Sequence, residues 1–182
     1  MDKQITEFTY IDLEGTASLT ELNAICHTGS FIADCPVMED GEIASETQLI
    51  EIGKYCCYFV PGSDVITGDL YNLIDMADSI SGDCLWAVER LVDEDGILKE
   101  DYSLRSGVLF IDWFEIVPQY DELKEKAMDV LIRVLGTSAS AVGYIVDYDN
   151  SENELTGPFL GKFDFVMQET NSKGSLWLRK QV

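Results

Sequence analysis

Cys26 and His27 stand side by side. A thiol beside an imidazole is the pair from which a nucleophilic enzyme draws its thiolate. Adjacent side chains rarely face each other, however, and no third residue is in evidence to orient the ring. With Gly29 two residues on, His27 reads as the end of a helix, where a cation suits the negative end of the dipole. Asp93, Glu94, Asp95 and Gly96 offer oxygen ligands for a cation, but EF-hand spacing is missing, and VDEDGIL reads as an acidic hairpin turn. Five cysteines (Cys26, Cys35, Cys56, Cys57, Cys84) are an odd number and form no CxxC pair, so no disulfide framework is expected. Cys56 and Cys57 sit in the apolar run YCCYFV and read as core thiols. A single histidine without clustered ligands points to no metal site.

Charge limits what the chain can touch. It carries 34 acids against 12 bases, a net −22. Such a surface repels DNA, RNA and anionic membranes and attracts basic partners. Solubility, or life in a salty cytoplasm, is the plain explanation. A surface that holds a basic protein, or one that imitates nucleic acid, is the functional one. The bias is strongest early: residues 1–53 hold Lys3 against eleven acids. The 182 residues suit one domain, and a 46% apolar composition supplies a core. No run reaches the roughly 18 apolar residues of a membrane helix. MDKQITEFTYIDLEG shows no basic-then-apolar signal, so a cytoplasmic protein is expected.

The elements that must position any site follow from periodicity. Gln4–Leu13 suits a first strand, and Ser18 with Glu21 three residues later predicts a capped helix ended by Gly29. Residues 30–46 read as an acidic loop, and Thr47–Val60 as a strand or a helix turning into one. Leu70, Leu73, Ile74 and Ala77 predict a helix over Asp69–Ser79, broken by Gly82. Leu85–Val92 reads as a strand. Val108–Val117 is too apolar for a surface strand and is expected to be covered on both faces, with a bulge near Trp113. Pro118 ends it, and a helix runs from Asp121 to Leu135. Ala141–Tyr148 is a strand, Ser151–Lys162 a short irregular helix, and Val166–Glu169 and Ser175–Arg179 a last hairpin around Asn171–Gly174. Trp86, Trp113 and Trp177 all fall in predicted strands and read as core. The order predicts an α/β or α+β sheet with helices on both faces.

From Asp69 to Val182 this order resembles the GNAT acetyltransferase superfamily. The resembling pieces are DLYNLIDMADSI, VERLVDEDGIL, GVLFIDWFEIVPQY, AMDVLIRVLG, AVGYIVDYD and FLGKFDF…SLWLRK. Residues 1–68 carry no specific signal. The resemblance implies one GNAT-like domain over 1–182: a mixed, mostly antiparallel central sheet, splayed in its middle, with helices on both faces.

In that family, a glycine-rich loop after the central strand holds the pyrophosphate of acetyl-CoA on bare backbone amides. Glycines let the backbone approach, and the next helix welcomes anionic oxygens. Here Gln119–Lys126 contains no glycine, and Asp121 and Glu122 stand where phosphate oxygens would arrive. The family's leaving-group tyrosine corresponds to Phe159, which has no proton to give, and Asp164 stands at the position of its final glycine. The resemblance therefore implies a degenerate member without a cofactor: a non-catalytic acidic protein that binds a basic protein, with nucleic-acid mimicry as a variant. The alternative is an acetyl-CoA-dependent N-acetyltransferase acting on a cationic small molecule. Glu115, or failing it Asp112, would then be the base, and the backbone of Leu123, Lys124, Glu125 and Lys126 would hold the cofactor.

Overall fold

The computed structural model describes residues 9–39, 42–62, 72–102, 107–148 and 155–181. One sheet of seven strands organises them: β1 (Tyr10–Leu19), β2 (Ile25–Glu39), β3 (Glu42–Pro61), β4 (Gly107–Ile116), β5 (Ala141–Asp147), β6 (Val166–Thr170) and β7 (Gly174–Lys180). Four helices accompany them: α1 (Leu73–Ile80), α2 (Gly82–Glu89), α3 (Lys124–Leu135) and α4 (Gly157–Gly161). The strand order is β1-β2-β3-β4-β5-β7-β6. Every neighbouring pair is antiparallel except β4 and β5.

The parallel pair is short. It joins Val108 to Ala141, Leu109 to Val142 and Phe110 to Gly143 and then stops, although both strands run on. The ladder between the two strands therefore ends at Phe110 and Gly143. Buried Ser140 closes the paired end: its amide donates to the Gly107 carbonyl (2.7 Å), and its own carbonyl accepts from Gln181 (3.0 Å).

Each face of the sheet has its own core. Leu109, Ile111, Phe114 and Val142 pack with Ala127, Met128 and Leu131 of α3, and Leu160 of α4 joins this side. Val108, Phe110, Ala141 and Leu178 pack with Leu73 and Ala77 of α1 and Cys84, Ala87 and Val88 of α2. Helices on both faces and cover on both sides of β4 thus hold for the first half of that strand. Farther along, Asp112 and Trp113 are exposed. Cys56 pairs with Trp113 and Cys57 with Ile111, so Asp112 is an extra residue and the bulge foreseen near Trp113 is present.

Several expectations fail in the first half of the chain. No helix starts at Ser18. Ser18 and Leu19 end β1, and the capping-box spacing belongs to a hairpin turn. The Thr20 hydroxyl accepts the Ala24 amide at 3.1 Å, and Asn23 takes φ 67°, a conformation its short side chain tolerates. Gly29 lies in the middle of β2 instead of ending a helix, and the described part of residues 30–46 is strand: β2 runs to Glu39 and pairs with β3, which starts at Glu42. The first helix does end before Gly82, at Ile80, but a second helix that the sequence did not show, α2, starts at Gly82 with Ser81 as its cap (Cys84 amide to Ser81 hydroxyl, 3.1 Å). Most of Leu85–Val92 is therefore helix and not strand, because Cys84, Ala87 and Val88 bury one helical face; α2 ends at Glu89, and Val92 makes an isolated antiparallel bridge to Leu98. Trp86 moves with it. Its indole N–H donates to Glu169 of β6 at 2.9 Å, and Arg90 pairs with the same carboxylate, tying α2 across the sheet. The expected first strand begins at Gln4, of which only the part from Tyr10 lies among the described elements.

Gly29 shows why the β1–β2 pair needs glycine. A Cβ there would stand 2.2 Å from the Glu14 carbonyl oxygen and 2.8 Å from the Tyr55 hydroxyl, whereas a Cβ on Gly161 would meet nothing within 4 Å. Gly29→Ala is expected to destabilise by about 1–3 kcal/mol in urea unfolding, the usual range for overpacking, and Gly161→Ala to be neutral or slightly stabilising. Equal unfolding midpoints for the two variants would contradict this packing.

Candidate functional site

The junction after β4 is the first place to look for chemistry. Residues Pro118–Leu123 form 3-10 turns that lead directly into α3. Val117 is held to β3 by its amide on the Ile52 carbonyl (2.8 Å), and the Tyr120 amide returns to the Val117 carbonyl (2.8 Å). Tyr120 and Leu123 are buried in the α3-side core, which turns this segment inward. The Lys124 amide, first of α3, bonds to the Asp121 carbonyl. The start of the helix is thus continued by tighter turns and does not open onto an empty cradle.

The four residues expected to hold a cofactor sit here with most of their side chains engaged. Leu123 is buried. Lys124 pairs with Asp121 at 3.7 Å and lies 5.6 Å from the centre of the Phe159 ring. Glu125 pairs with Lys162, and Lys126 donates to the Thr9 carbonyl at 3.3 Å. A shallow groove of about 410 Å³ runs alongside, lined by Glu125, Lys126, Asp129, Lys162, Asp164 and Arg179. Three of these are acids and three are bases, so the groove offers a diphosphate no net attraction. Asp121 and Glu122, just before α3, are exposed.

Glu115, the expected base, lies half-buried on β4 opposite Lys54 of β3. Register places it on the α1–α2 side of the sheet, whereas Leu123–Lys126 belong to the α3 side. The structure does not gather these five residues into one pocket.

A second constellation stands on the α1–α2 side, at the bulge. Cys26 of β2 faces Tyr58 of β3, with Cys56 two residues along the same strand face. These three side chains cluster together, and the Asp112 carboxylate lies beside Cys56. Asp83 and Cys84, in the first turn of α2, complete the group. Burial, then Cys26 and Asp112, push the Cys56 thiol up to about 12. Burial, then Asp112 and Asp83, push Cys84 up to about 12. Asp112 touches solvent, yet burial of its carboxyl and the neighbouring Asp83 raise it above the ordinary carboxylate value. These thiols are protonated at neutral pH and poor nucleophiles. Among the described residues, no three His, Cys, Asp or Glu side chains converge as metal ligands.

His27, read from the sequence as a helix end, falls in a different element. It is a half-buried strand residue of β2, not a helix end, and burial lowers its pKa. Its strand neighbour Cys26 points to the other face. The Asp93 turn forms as read: the Asp93 carboxylate accepts the amides of Asp95 and Ile97, both at 3.0 Å, and Gly96 takes φ 76°. Reading the sequence missed the grouping of Cys26, Cys56, Asp83 and Asp112, because only strand pairing and the true identity of α2 bring them together.

No protein-family description, no curated protein and no solved structure matches this chain.

Two outcomes follow from the bulge cluster. The native form of Asp112 binds its proton more readily than the unfolded chain, so stability falls as pH rises through the window above its ordinary value of 3.8. Asp112→Asn is therefore expected to raise the melting temperature at pH 7, with a gain that disappears at or below about pH 4; no gain at pH 7 would count against the shift. Raising a thiol from 9 to about 12 cuts its thiolate about a thousandfold. Iodoacetamide at pH 7.5 should leave native Cys56 and Cys84 unmodified while it labels the urea-unfolded chain, as read by peptide mass spectrometry. Labelling of native Cys56 at the rate of a free thiol would contradict the burial.

Proposed function

We propose that this chain is a GNAT-like protein without acyltransferase activity, which uses its acidic surface to bind a basic protein. The junction at Pro118–Lys124 carries the reading. Where the resembling family holds a diphosphate on bare amides, this chain has 3-10 turns, a Lys124 amide given to the Asp121 carbonyl, and two exposed carboxylates. Two like charges within about 4 Å of a diphosphate would each oppose it by roughly 1–4 kcal/mol.

Other features support the GNAT-like half of the proposal. The parallel ladder between β4 and β5 stops after three residues, with α3 crossing between the two strands. Asp164, at the position of the family's final glycine, takes φ 61°, the left-handed conformation that glycine favours. Phe159, at the position of the family's tyrosine, lies beside Lys124 of the would-be cradle. Fold without the functional groups is what a binding protein on an enzyme scaffold would retain.

An active N-acetyltransferase for a cationic amine is the second reading. Arg179 favours it, since its buried Nε has no acceptor among the described residues and it lines the groove beside α3 with Lys126 and Lys162. An anion seated there would satisfy that donor. Asp112, the other candidate base, shares the α1–α2 side with Glu115 and lies beside Asp83 of α2, so on this reading the base and the groove stand on opposite sides of the sheet.

Thermal unfolding separates the two. With 1–2 mM acetyl-CoA, the melting temperature is expected to stay within error of the free protein, whereas saturating binding at 100 Kd would add about 2.7 kcal/mol. A concentration-dependent rise, with thiol release on adding a polyamine, would reverse the assignment.

A further inference from the structure

The α1–α2 layer leaves one side of β1, β2, β3 and the outer part of β4 open to solvent. Strand register fixes which residues stand there, because partners directly opposite each other point to the same side. Tyr10, Asp12 and Glu14 of β1 oppose Asp34, Ile32 and Ser30 of β2. These in turn oppose Leu49, Glu51 and Lys54 of β3, and Lys54 opposes Glu115 of β4. With Asp112 at the bulge, six carboxylates share this side with one base, Lys54.

Three observations distinguish this side from a merely acidic surface. Large apolar groups lie among the carboxylates: Tyr10 is 72% exposed, Leu49 64% and Trp113 45%. Asp34 keeps one carboxylate oxygen buried with no hydrogen-bond partner among the described residues, an acceptor without its donor. Among the described residues Lys54 pairs with Glu51, at 3.9 Å, and no other lysine or arginine stands on these strands to compensate the remaining acids. Four strands at about 4.8 Å spacing, and about 13 Å along β1 from Tyr10 to Glu14, give an area broader than a small amine can cover.

We propose that this open side of β1–β4 docks an arginine-rich polypeptide segment of a partner protein. Guanidinium groups fit it on both counts. They donate in forks to carboxylates, and they stack on aromatic faces such as Trp113 and Tyr10, which an ammonium does less well. The proposal rests on the reading of this chain as an acidic binding protein and gives that reading a location. Nucleic acid and anionic membranes carry the wrong sign for it.

The test uses fluorescein-labelled deca-arginine and deca-lysine peptides with the full chain, in fluorescence anisotropy at 20 and 200 mM NaCl. One variant neutralises four acids of the open side: Asp12→Asn, Glu14→Gln, Glu51→Gln and Glu115→Gln. Another neutralises four exposed acids elsewhere: Glu89→Gln, Glu94→Gln, Asp101→Asn and Glu122→Gln. The first is expected to weaken deca-arginine binding at least tenfold and the second less than threefold. Trp113→Ala is expected to weaken deca-arginine more than deca-lysine. Hydrogen exchange on the unmodified chain covers a failure of any variant to fold: bound deca-arginine should slow exchange in Tyr10–Leu19, the free edge of that side. Equal weakening by both quadruple variants, or protection confined to α1 and α2, would overturn the location while the basic-partner reading survives. No binding of either peptide by the unmodified chain at 20 mM NaCl would overturn both.

Discussion

The three-residue parallel seam between β4 and β5 is the constraint on which the rest of the molecule depends. A parallel pair cannot be closed by a tight turn, so the chain must leave the sheet after β4, cross one face and return. α3 makes that crossing and brings its apolar stripe onto Leu109, Ile111 and Val142. The seam also ends early, at Phe110 and Gly143, although both strands run on, and Pro118–Leu123 leads from the end of β4 into α3. That segment presents buried Tyr120 and Leu123, used amides and exposed carboxylates. The same α1–α2 pair that covers the inner half of β4 is too small to reach β1 and β2, and this shortfall leaves the acidic side bare.

The two faces solve different physical problems. The α3 face buries large side chains such as Phe31, Phe110's neighbour Ile111, and Met128 in one continuous core. The α1–α2 face changes character along its length, from Val108 and Phe110 under the helices, through the protonated thiols of Cys56 and Cys84, to Asp112, Trp113 and Glu115 in the open. The bulge at Asp112 marks the transition. An extra residue there lets two successive side chains lean toward the α1–α2 side, so Asp112 comes under Asp83 while Trp113 reaches solvent.

Legibility in the sequence followed the strength of local periodicity. From Gly107 onward, the apolar runs of β4 and β5, the stripe of α3 and the Asn171 turn each point to one structure, and they were read with ends shifted by a few residues. Asp121–Leu123 read as helix because 3-10 turns share its apolar spacing. The first sixty residues misled for a specific reason. Ser18-x-x-Glu21 has capping-box spacing inside a hairpin, and a strand with one wet face carries as many acids as a loop. Leu85–Val92 alternates well enough to pass for a strand, and only the burial of Cys84, Ala87 and Val88 together distinguishes a helix. Of the candidate site, Glu115 and Leu123–Lys126 could be picked out individually. Their separation onto opposite faces, and the union of Asp12, Glu51 and Glu115 on one, required the register of four strands, which no single segment encodes.

Amide chemical shifts of isotope-labelled protein during a coenzyme A titration bear most directly on the closed junction. The expected result at 2 mM coenzyme A is that the amides of Leu123, Lys124, Glu125 and Lys126 stay in place. Saturable movement of those four amides, reproduced by inorganic pyrophosphate alone, would mean that the turn opens to receive a diphosphate and would contradict the proposal of a closed junction.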